Sequence, residues 1–150
     1  MNVAIGADHA GFELKERVKQ YLESHRHTVL DMGTNSTEST DYPQYAFRVA
    51  DAVRGGRAER GVLVCDSGNG IAIAANKVAG IRAAVCVNAE HAELARRHND
   101  ANVLVLGSAF IAPQDLAPTL DAWFQSPFDG GRHARRVGQI TEYERTHQPQ

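Results

Sequence analysis

Residues 61–77, GVLVCDSGNGIAIAANK, join a short apolar run, a glycine turn and a run of small residues. The uninterrupted apolar run at 62–64 is typical of a strand that is covered on both faces in a parallel sheet. After the glycines, apolar residues recur at the spacing of one helix face, at positions 71, 74, 75 and 78. The stretch therefore predicts a strand that ends at Cys65, a tight turn, and a helix that begins near Gly70.

Cys65 lies beside a predicted turn whose backbone can stabilise a negative charge. The first residues of a helix carry N–H groups without internal partners, and Gly68 and Gly70 let an anion approach that backbone closely. A helix start also favours a thiolate, so we expect it to lower the pKa of Cys65. With Ser67 nearby, Cys65 is a candidate base or nucleophile; the alternative is a small buried hydrophobe at a strand end. The glycines match neither a dinucleotide-binding fingerprint nor a P-loop.

The composition narrows the classes of function. A chain of 150 residues that is 43% hydrophobic fits one globular domain with its own core. A net charge of −2, without a Lys/Arg-rich run, argues against a nucleic-acid partner. No apolar run approaches the roughly 18 residues of a membrane span, and we expect no secretory leader. The two cysteines, Cys65 and Cys86, favour a reducing compartment, so we expect a cytoplasmic protein.

Strand-like and helix-like segments alternate along the chain. Short apolar runs predict five strands, and amphipathic repeats lie between and after them. This alternation predicts an α/β fold: a three-layer α/β/α sandwich with a five-stranded parallel sheet, Rossmann-like in type. We expect a single domain over 1–150, with a C-terminal helical extension from about residue 130. The predicted strands lie at 3–7, 28–30, 62–64, 83–87 and 103–106.

Several polar residues fall where such a sheet binds ligands, beyond the carboxyl ends of its strands. Asp8 and His9 follow the first strand, so they are candidates for the same cleft as the cysteine; the alternative for His9 is a solvated loop residue. His98 lies at a helix end, where a cationic residue also complements the helix dipole. Arg132 and Arg136 are one helical turn apart and either form a solvated face or clamp a phosphate.

Five separate motifs occur in an order that resembles one enzyme family. The chain is similar, nearly end to end, to the type B ribose-5-phosphate isomerases and to their galactose-6-phosphate and allose-6-phosphate relatives. The resemblance implies an aldose–ketose isomerase of a sugar phosphate that needs neither metal nor cofactor. It also implies a homodimer with sites shared across the subunit interface, and pairing of dimers into a tetramer stays open. The motifs are GADHAGFELKE at 6–16, TDYP at 40–43, CDSGNGIAIAANK at 65–77, RRHNDANVL at 96–104 and GGRHARR at 130–136.

The resemblance also implies roles for individual residues. Cys65 is expected to move a proton between C1 and C2 of the open-chain sugar, and Ser67 to assist proton movement at the hydroxyl oxygens. His98 is expected to open the furanose ring. The backbone that would hold the enediolate belongs to Asp66, Ser67, Gly68, Asn69 and Gly70. The remaining substrate contacts are expected from His9, Arg132 and Arg136 to the phosphate, and from Asp8, Tyr42 and Asn99 to the sugar hydroxyls.

Two positions depart from the family pattern and keep other functions open. Asp66 stands where the family usually has glycine, and its charge opposes thiolate formation unless it points away. Ala109 stands where the family usually has arginine, which leaves the choice among ribose, allose and galactose phosphates open. The alternatives are a sugar-phosphate-binding protein without turnover, and a cysteine hydrolase that uses Cys65 and His98 and forms an acyl-enzyme. A related subgroup has a catalytic glutamate where this chain has Ile71, so the cysteine version of the chemistry applies.

Overall fold

The structure, a computed structural model, describes residues 1–147. The five predicted strands are present, each within two residues of its expected bounds. The strands are β1 Asn2–Ala7, β2 Thr28–Asp31, β3 Arg60–Cys65, β4 Ala83–Val85 and β5 Val103–Gly107. The helices are α1 Phe12–Ser24, α2 Tyr42–Arg54, α3 Asn69–Ala75, α4 Ala89–Asn99, α5 Leu116–Gln125, which a 3₁₀ turn at Pro113–Asp115 precedes, and α6 Arg132–His147.

The sheet is parallel throughout, with the strand order β2-β1-β3-β5-β4. With helices on both of its faces, it confirms the predicted three-layer α/β/α sandwich of Rossmann-like type. The strand order reverses between β1 and β3, because the chain first moves outward from β1 to β2 and then returns to β3. Such a reversal opens a crevice at the carboxyl ends of the two strands. Asp8 directly follows β1 and Cys65 ends β3, so both residues border this crevice.

Two buried clusters of side chains fill the space between the sheet and the helices on its two faces. Side chains alternate between the faces along a strand, so β3 contributes to both clusters. Val62 and Val64 pack on the face that α1, α4 and α5 cover, whereas Leu63 and Cys65 pack on the face that α2 and α3 cover. Every residue from 61 to 65 is buried, which explains the uninterrupted apolar run in the sequence.

The C-terminal helix α6 lies outside these two clusters. Most of its described residues are exposed, and its buried residue is His133. The helix packs against α4, and the carboxylate of Glu144 accepts a hydrogen bond from the N–H of Gly80 at 2.8 Å. These contacts hold α6 beside the amino end of β4. Within residues 1–147, no helix combines the length and the apolar character that crossing a bilayer requires.

Candidate active site

Cys65 ends β3 with its thiol enclosed by the turn that follows. The side chain is 5% exposed, and its Sγ accepts a hydrogen bond from the N–H of Gly68 at 3.2 Å. Gly68 has a φ of +83°, a left-handed conformation that glycine adopts without steric cost. Helix α3 begins at the next residue, Asn69. The glycine therefore lets the chain fold back over the thiol and enter the helix, as the sequence predicts.

The pKa of Cys65 is raised above its ordinary value, chiefly because burial disfavours the thiolate. The N–H groups of Ile71, Gly68 and Ser67 act in the opposite direction, since they donate to the sulfur, while the negative charge of Asp8 raises the pKa further. Our prediction of a lowered pKa is therefore wrong, because the loss of hydration outweighs the donors of the turn. At neutral pH the resting protein holds Cys65 mainly as a thiol.

Asp66 is exposed, and the carboxylate that raises the pKa of Cys65 is that of Asp8. The backbone of the turn is instead tied to the loop after β5. The C=O of Cys65 accepts the N–H of Ser108 at 2.9 Å, and the C=O of Asp66 accepts the N–H of Ala109 at 3.0 Å. The two departures from the family pattern, Asp66 and Ala109, are therefore direct neighbours beside the thiol.

Asp8 and His9 border the same crevice from the end of β1. Asp8 is buried, its Oδ1 accepts the N–H of Gly11 at 3.0 Å, and its own N–H donates to the C=O of Val64. The Nδ1 of His9 accepts the N–H of Thr40 at 3.1 Å, in the loop that leads into α2. These bonds hold one carboxylate and one imidazole at fixed positions at the carboxyl edge of the sheet.

Tyr42, the first residue of α2, lies over the glycine turn. A Cβ at Gly70 would lie 2.5 Å from the Cζ of Tyr42, so the ring needs glycine at this position. The Oγ of Ser67 accepts the N–H of Asn69 at 3.1 Å, which orders the turn beside the thiol. The predicted site residues that share this edge of the sheet are Asp8, His9, Tyr42 and the segment from Cys65 to Gly70.

The other four predicted site residues lie at the opposite ends of the strands, where the strands begin. They are His98, Asn99, Arg132 and Arg136. Helix α4 runs back from the carboxyl end of β4 and ends at Asn99, shortly before β5 begins at Val103. The register pairs Cys65 with Gly107, at the far end of β5. Four residues of strand span about 13 Å at the usual rise per residue. A single subunit therefore does not bring His98 to Cys65.

His98 belongs to a cluster that we did not consider from the sequence. Its ring stacks on that of His133, with centroids 4.1 Å apart and planes 6° from parallel. His98, His133 and Asp129 each offer a nitrogen or oxygen ligand atom, and these atoms lie within 4.8 Å of one another. Burial lowers the pKa of His133, which keeps its imidazole neutral near pH 7. The signal available in the sequence was the position of His133 between the two predicted phosphate-binding arginines.

An open cavity of about 670 Å³ lies beside the glycine turn, between α3 and β4. Asn69 lines it at the turn, and Ile73 lines it from the outer face of α3 with 61% of its surface exposed. Strand β4 is three residues long and forms the edge of the sheet. The surface next to the thiol thus offers an exposed apolar side chain and a strand edge.

Comparison with known proteins identifies the family of this chain. A family model described as Ribose/Galactose Isomerase matches residues 3–140. The chain belongs to this family. Ribose-5-phosphate isomerase B of Escherichia coli (strain K12) is 48% identical over 142 residues, which cover 95% of each chain.

Solved structures of ribose/galactose isomerases share the fold over nearly the whole chain. Clostridium thermocellum ribose-5-phosphate isomerase B matches with a TM-score of 0.97 and 45% identity, covering 99% of this chain and all of its own. The Mycoplasma genitalium enzyme, solved with bound ribulose 5-phosphate, matches with a TM-score of 0.91 and 40% identity over 96% of each chain. The resemblance drawn from the five motifs is confirmed.

Proposed function

We propose that this protein is a cofactor-free aldose–ketose isomerase that converts ribose 5-phosphate to ribulose 5-phosphate through an enediolate, with Cys65 as the base. The observation that carries the proposal is the thiol of Cys65 at the carboxyl edge of the sheet, 3.2 Å from the N–H nitrogen of Gly68, in a chain of the ribose/galactose isomerase family. The protein acts as a single isomerase domain, and α6 is its helical extension.

The chemistry needs one base and a fixed set of N–H donors. The thiolate of Cys65 removes the proton from C2 of the open-chain aldose, the C–H electron pair forms the C1–C2 double bond, and the carbonyl oxygen on C1 becomes an oxyanion. The N–H groups of the turn at 66–70 stabilise this enediolate. Cys65 then returns the proton to C1, while Ser67 assists the transfer of a hydroxyl proton from O2 to O1. The sugar is oxidised at C2 and reduced at C1, so no external oxidant or reductant is required.

The raised pKa of Cys65 has two opposite effects on this step. It reduces the fraction of thiolate at neutral pH, and it makes the thiolate that forms a stronger base. A proton next to a carbonyl is only weakly acidic, so the second effect favours the reaction. Burial of the thiol therefore lowers the population of the Cys65 thiolate and raises its basicity.

We infer that the active unit is a homodimer in which each site is completed by the partner subunit. A second copy has to supply the residues that lie at the amino-terminal ends of the strands, because Cys65 lies at a carboxyl end. These residues are His98, Asn99, Arg132 and Arg136. The exposed Ile73 and the edge of β4 offer an apolar surface for such a contact beside the glycine turn. In a symmetric dimer each contact occurs twice, so both sites are completed together. His98 then protonates the ring oxygen of the furanose, and the arginines hold the phosphate.

A second candidate substrate is a six-carbon sugar phosphate, such as allose 6-phosphate or galactose 6-phosphate. The N–H of Ala109 donates to the C=O of Asp66 at 3.0 Å, so a methyl group borders the glycine turn. An arginine there would occupy this space with a guanidinium. The smaller side chain leaves room for one more carbon of the substrate.

We further propose that the protein works in the cytoplasm. Cys65 and Cys86 are free and buried. A catalytic thiol has to remain reduced, and reducing compartments keep it so. Burial raises the pKa of Cys86 to about 12, which leaves Cys65 as the thiol with catalytic potential.

Substitution of the two cysteines tests the role of Cys65. Cys65→Ser should lower turnover of ribose 5-phosphate by about 10²-fold or more, the scale on which a positioned base contributes. Calorimetric titration with ribulose 5-phosphate should show that the variant still binds it. Cys86→Ala is the matched control, because it removes a buried thiol away from the turn and should keep turnover near the wild-type value.

The same assay separates the competing functions. Chelator should leave the rate unchanged, and a panel of pentose and hexose phosphates should rank the substrates. Cys65→Ser with more than half of the wild-type turnover would rule out Cys65 as the base. Binding without turnover by the wild type would identify a sugar-phosphate-binding protein, and a mass increase of Cys65 by an acyl group would identify a hydrolase.

A further inference from the structure

The cluster at the end of α4 has the ligand set of a transition-metal site. His98 and His133 offer imidazole nitrogens and Asp129 offers a carboxylate, all within 4.8 Å of one another. Zinc binds such ligands at about 2.0–2.2 Å, so the donor atoms around a tetrahedral zinc lie about 3.3 Å apart. Small rotations of the three side chains would bring the ligand atoms from their present spacing to this distance.

Backbone hydrogen bonds hold the two segments that carry these ligands. The N–H of Asp129 donates to the C=O of Arg97 at 3.0 Å, next to His98 in the sequence. The N–H of His133 donates to the C=O of Gly130 at 3.1 Å, where the chain turns into α6. These backbone hydrogen bonds hold the segments that carry the three ligands close together, so the proximity of the ligands does not depend on side-chain conformation alone.

The charged side chains around the cluster limit the affinity for a cation without excluding it. The Nε of Arg97 lies 3.1 Å from the Oδ1 of Asp129, and this ion pair competes with a metal for the carboxylate. The same guanidinium also contacts Glu93 at 3.1 Å, so Arg97 keeps an anionic partner when a metal draws Asp129 away. Arg132 and Arg136 flank His133 on α6, and their repulsion limits the affinity. Two imidazole ligands with one carboxylate favour zinc over magnesium or calcium, which prefer oxygen ligands.

We propose that His98, Asp129 and His133 bind one Zn²⁺ ion, which inhibits turnover of ribose 5-phosphate. The metal occupies the ring nitrogen through which His98 would protonate the furanose oxygen, so it stops ring opening. The thiol that the partner subunit brings to this shared site is not one of the three ligands, so proton transfer at an open-chain sugar continues. This consequence rests on the proposed function, whereas the binding of zinc does not.

Calorimetric titration with ZnCl₂ tests the site without any activity. The parent chain carries Cys65→Ala, which removes zinc binding by that thiol. We expect one ion per chain, and a tenfold or greater loss of affinity on adding Asp129→Asn or His133→Ala. Asp121→Asn is the control, because its carboxylate lies elsewhere, where it accepts a hydrogen bond from the hydroxyl of Tyr21 and lies 3.9 Å from His25. The ion pair of Asp129 with Arg97 is solvent-exposed, and such pairs contribute little to stability, so Asp129→Asn should melt close to the temperature of the parent chain without zinc. Absence of binding, or equal binding by Asp129→Asn and the parent, overturns the site.

Activity measurements test the consequence of binding. Zinc should inhibit conversion of ribose 5-phosphate by the wild type, EDTA should restore it, and Asp129→Asn should raise the half-inhibiting concentration at least tenfold. Asp121→Asn should not. Exchange of the C1 proton of ribulose 5-phosphate with D₂O, followed by NMR, needs no ring opening and should continue with zinc bound. If zinc stops this exchange equally, it acts at the thiol, and the assigned consequence is wrong. A wild type that binds zinc but never isomerises the sugar refutes the proposed function alone.

Discussion

Subunit exchange between two inactive variants tests whether each active site is shared by two chains. Cys65→Ala removes the thiol at the carboxyl ends of the strands, and His98→Ala removes the imidazole at their amino-terminal ends. The two ends of the sheet are about 13 Å apart along the paired strands, beyond the reach of an imidazole side chain. In a hybrid dimer, one site combines the intact Cys65 with the intact His98, and the other site lacks both.

The expected recovery follows from counting sites. Random exchange of equal amounts makes about half of the dimers hybrid, and each hybrid has one intact site of two, so activity should reach about 25% of the wild-type value per chain. Ribulose 5-phosphate formation is measured after the chains are refolded together, and native mass spectrometry verifies the hybrids. The control mixes His98→Ala with Arg132→Ala. The same subunit supplies both residues to a given site, so no hybrid site is intact. Hybrids of the first pair that are no more active than their parents would show that each site is contained in one chain.

Three further predictions concern the environment of the thiol. Burial and the charge of Asp8 raise the pKa of Cys65, so kcat/KM should keep rising with pH beyond neutrality as thiolate forms, and Asp8→Asn should shift the rise to lower pH. A profile that levels off below pH 7 would contradict this. Gly70→Ala should displace the tyrosine ring packed against it and lower kcat/KM by up to about 10²-fold. Gly138→Ala, where a Cβ meets nothing within 4 Å, should be silent, and equal effects of the two would refute the packing argument. Ala109→Arg should lower KM for ribose 5-phosphate about tenfold to a hundredfold with little change in kcat, through a charge-assisted hydrogen bond; a variant with only reduced activity would mean that the pocket is built around alanine.

The sequence was sufficient for the elements and for their order. The buried strand β3 was predictable because a strand covered on both faces has no exposed side chain, which leaves an uninterrupted apolar run. The turn after Cys65 was predictable because a left-handed residue and a close approach to a ring both call for glycine, at Gly68 and Gly70. Once the elements were known, parallel pairing followed from their alternation, and the motifs along the chain indicated the family. These signals are local, so each could be inferred from a few neighbouring residues.

The tertiary structure decided the properties that depend on groups far apart in the chain. The direction of the pKa shift of Cys65 is one, because desolvation sums over side chains from several elements and outweighs the donors of the adjacent turn. The identity of the opposing carboxylate is another: the charge of Asp8, 57 residues away in the chain, raises the pKa of the thiol, whereas the adjacent Asp66 is exposed. The meeting of His98 with Asp129 depends on a hydrogen bond between segments about 30 residues apart. Local patterns report the burial and backbone conformation of a residue, but the electric field at an atom and the partners of a side chain arise only when distant segments are packed together.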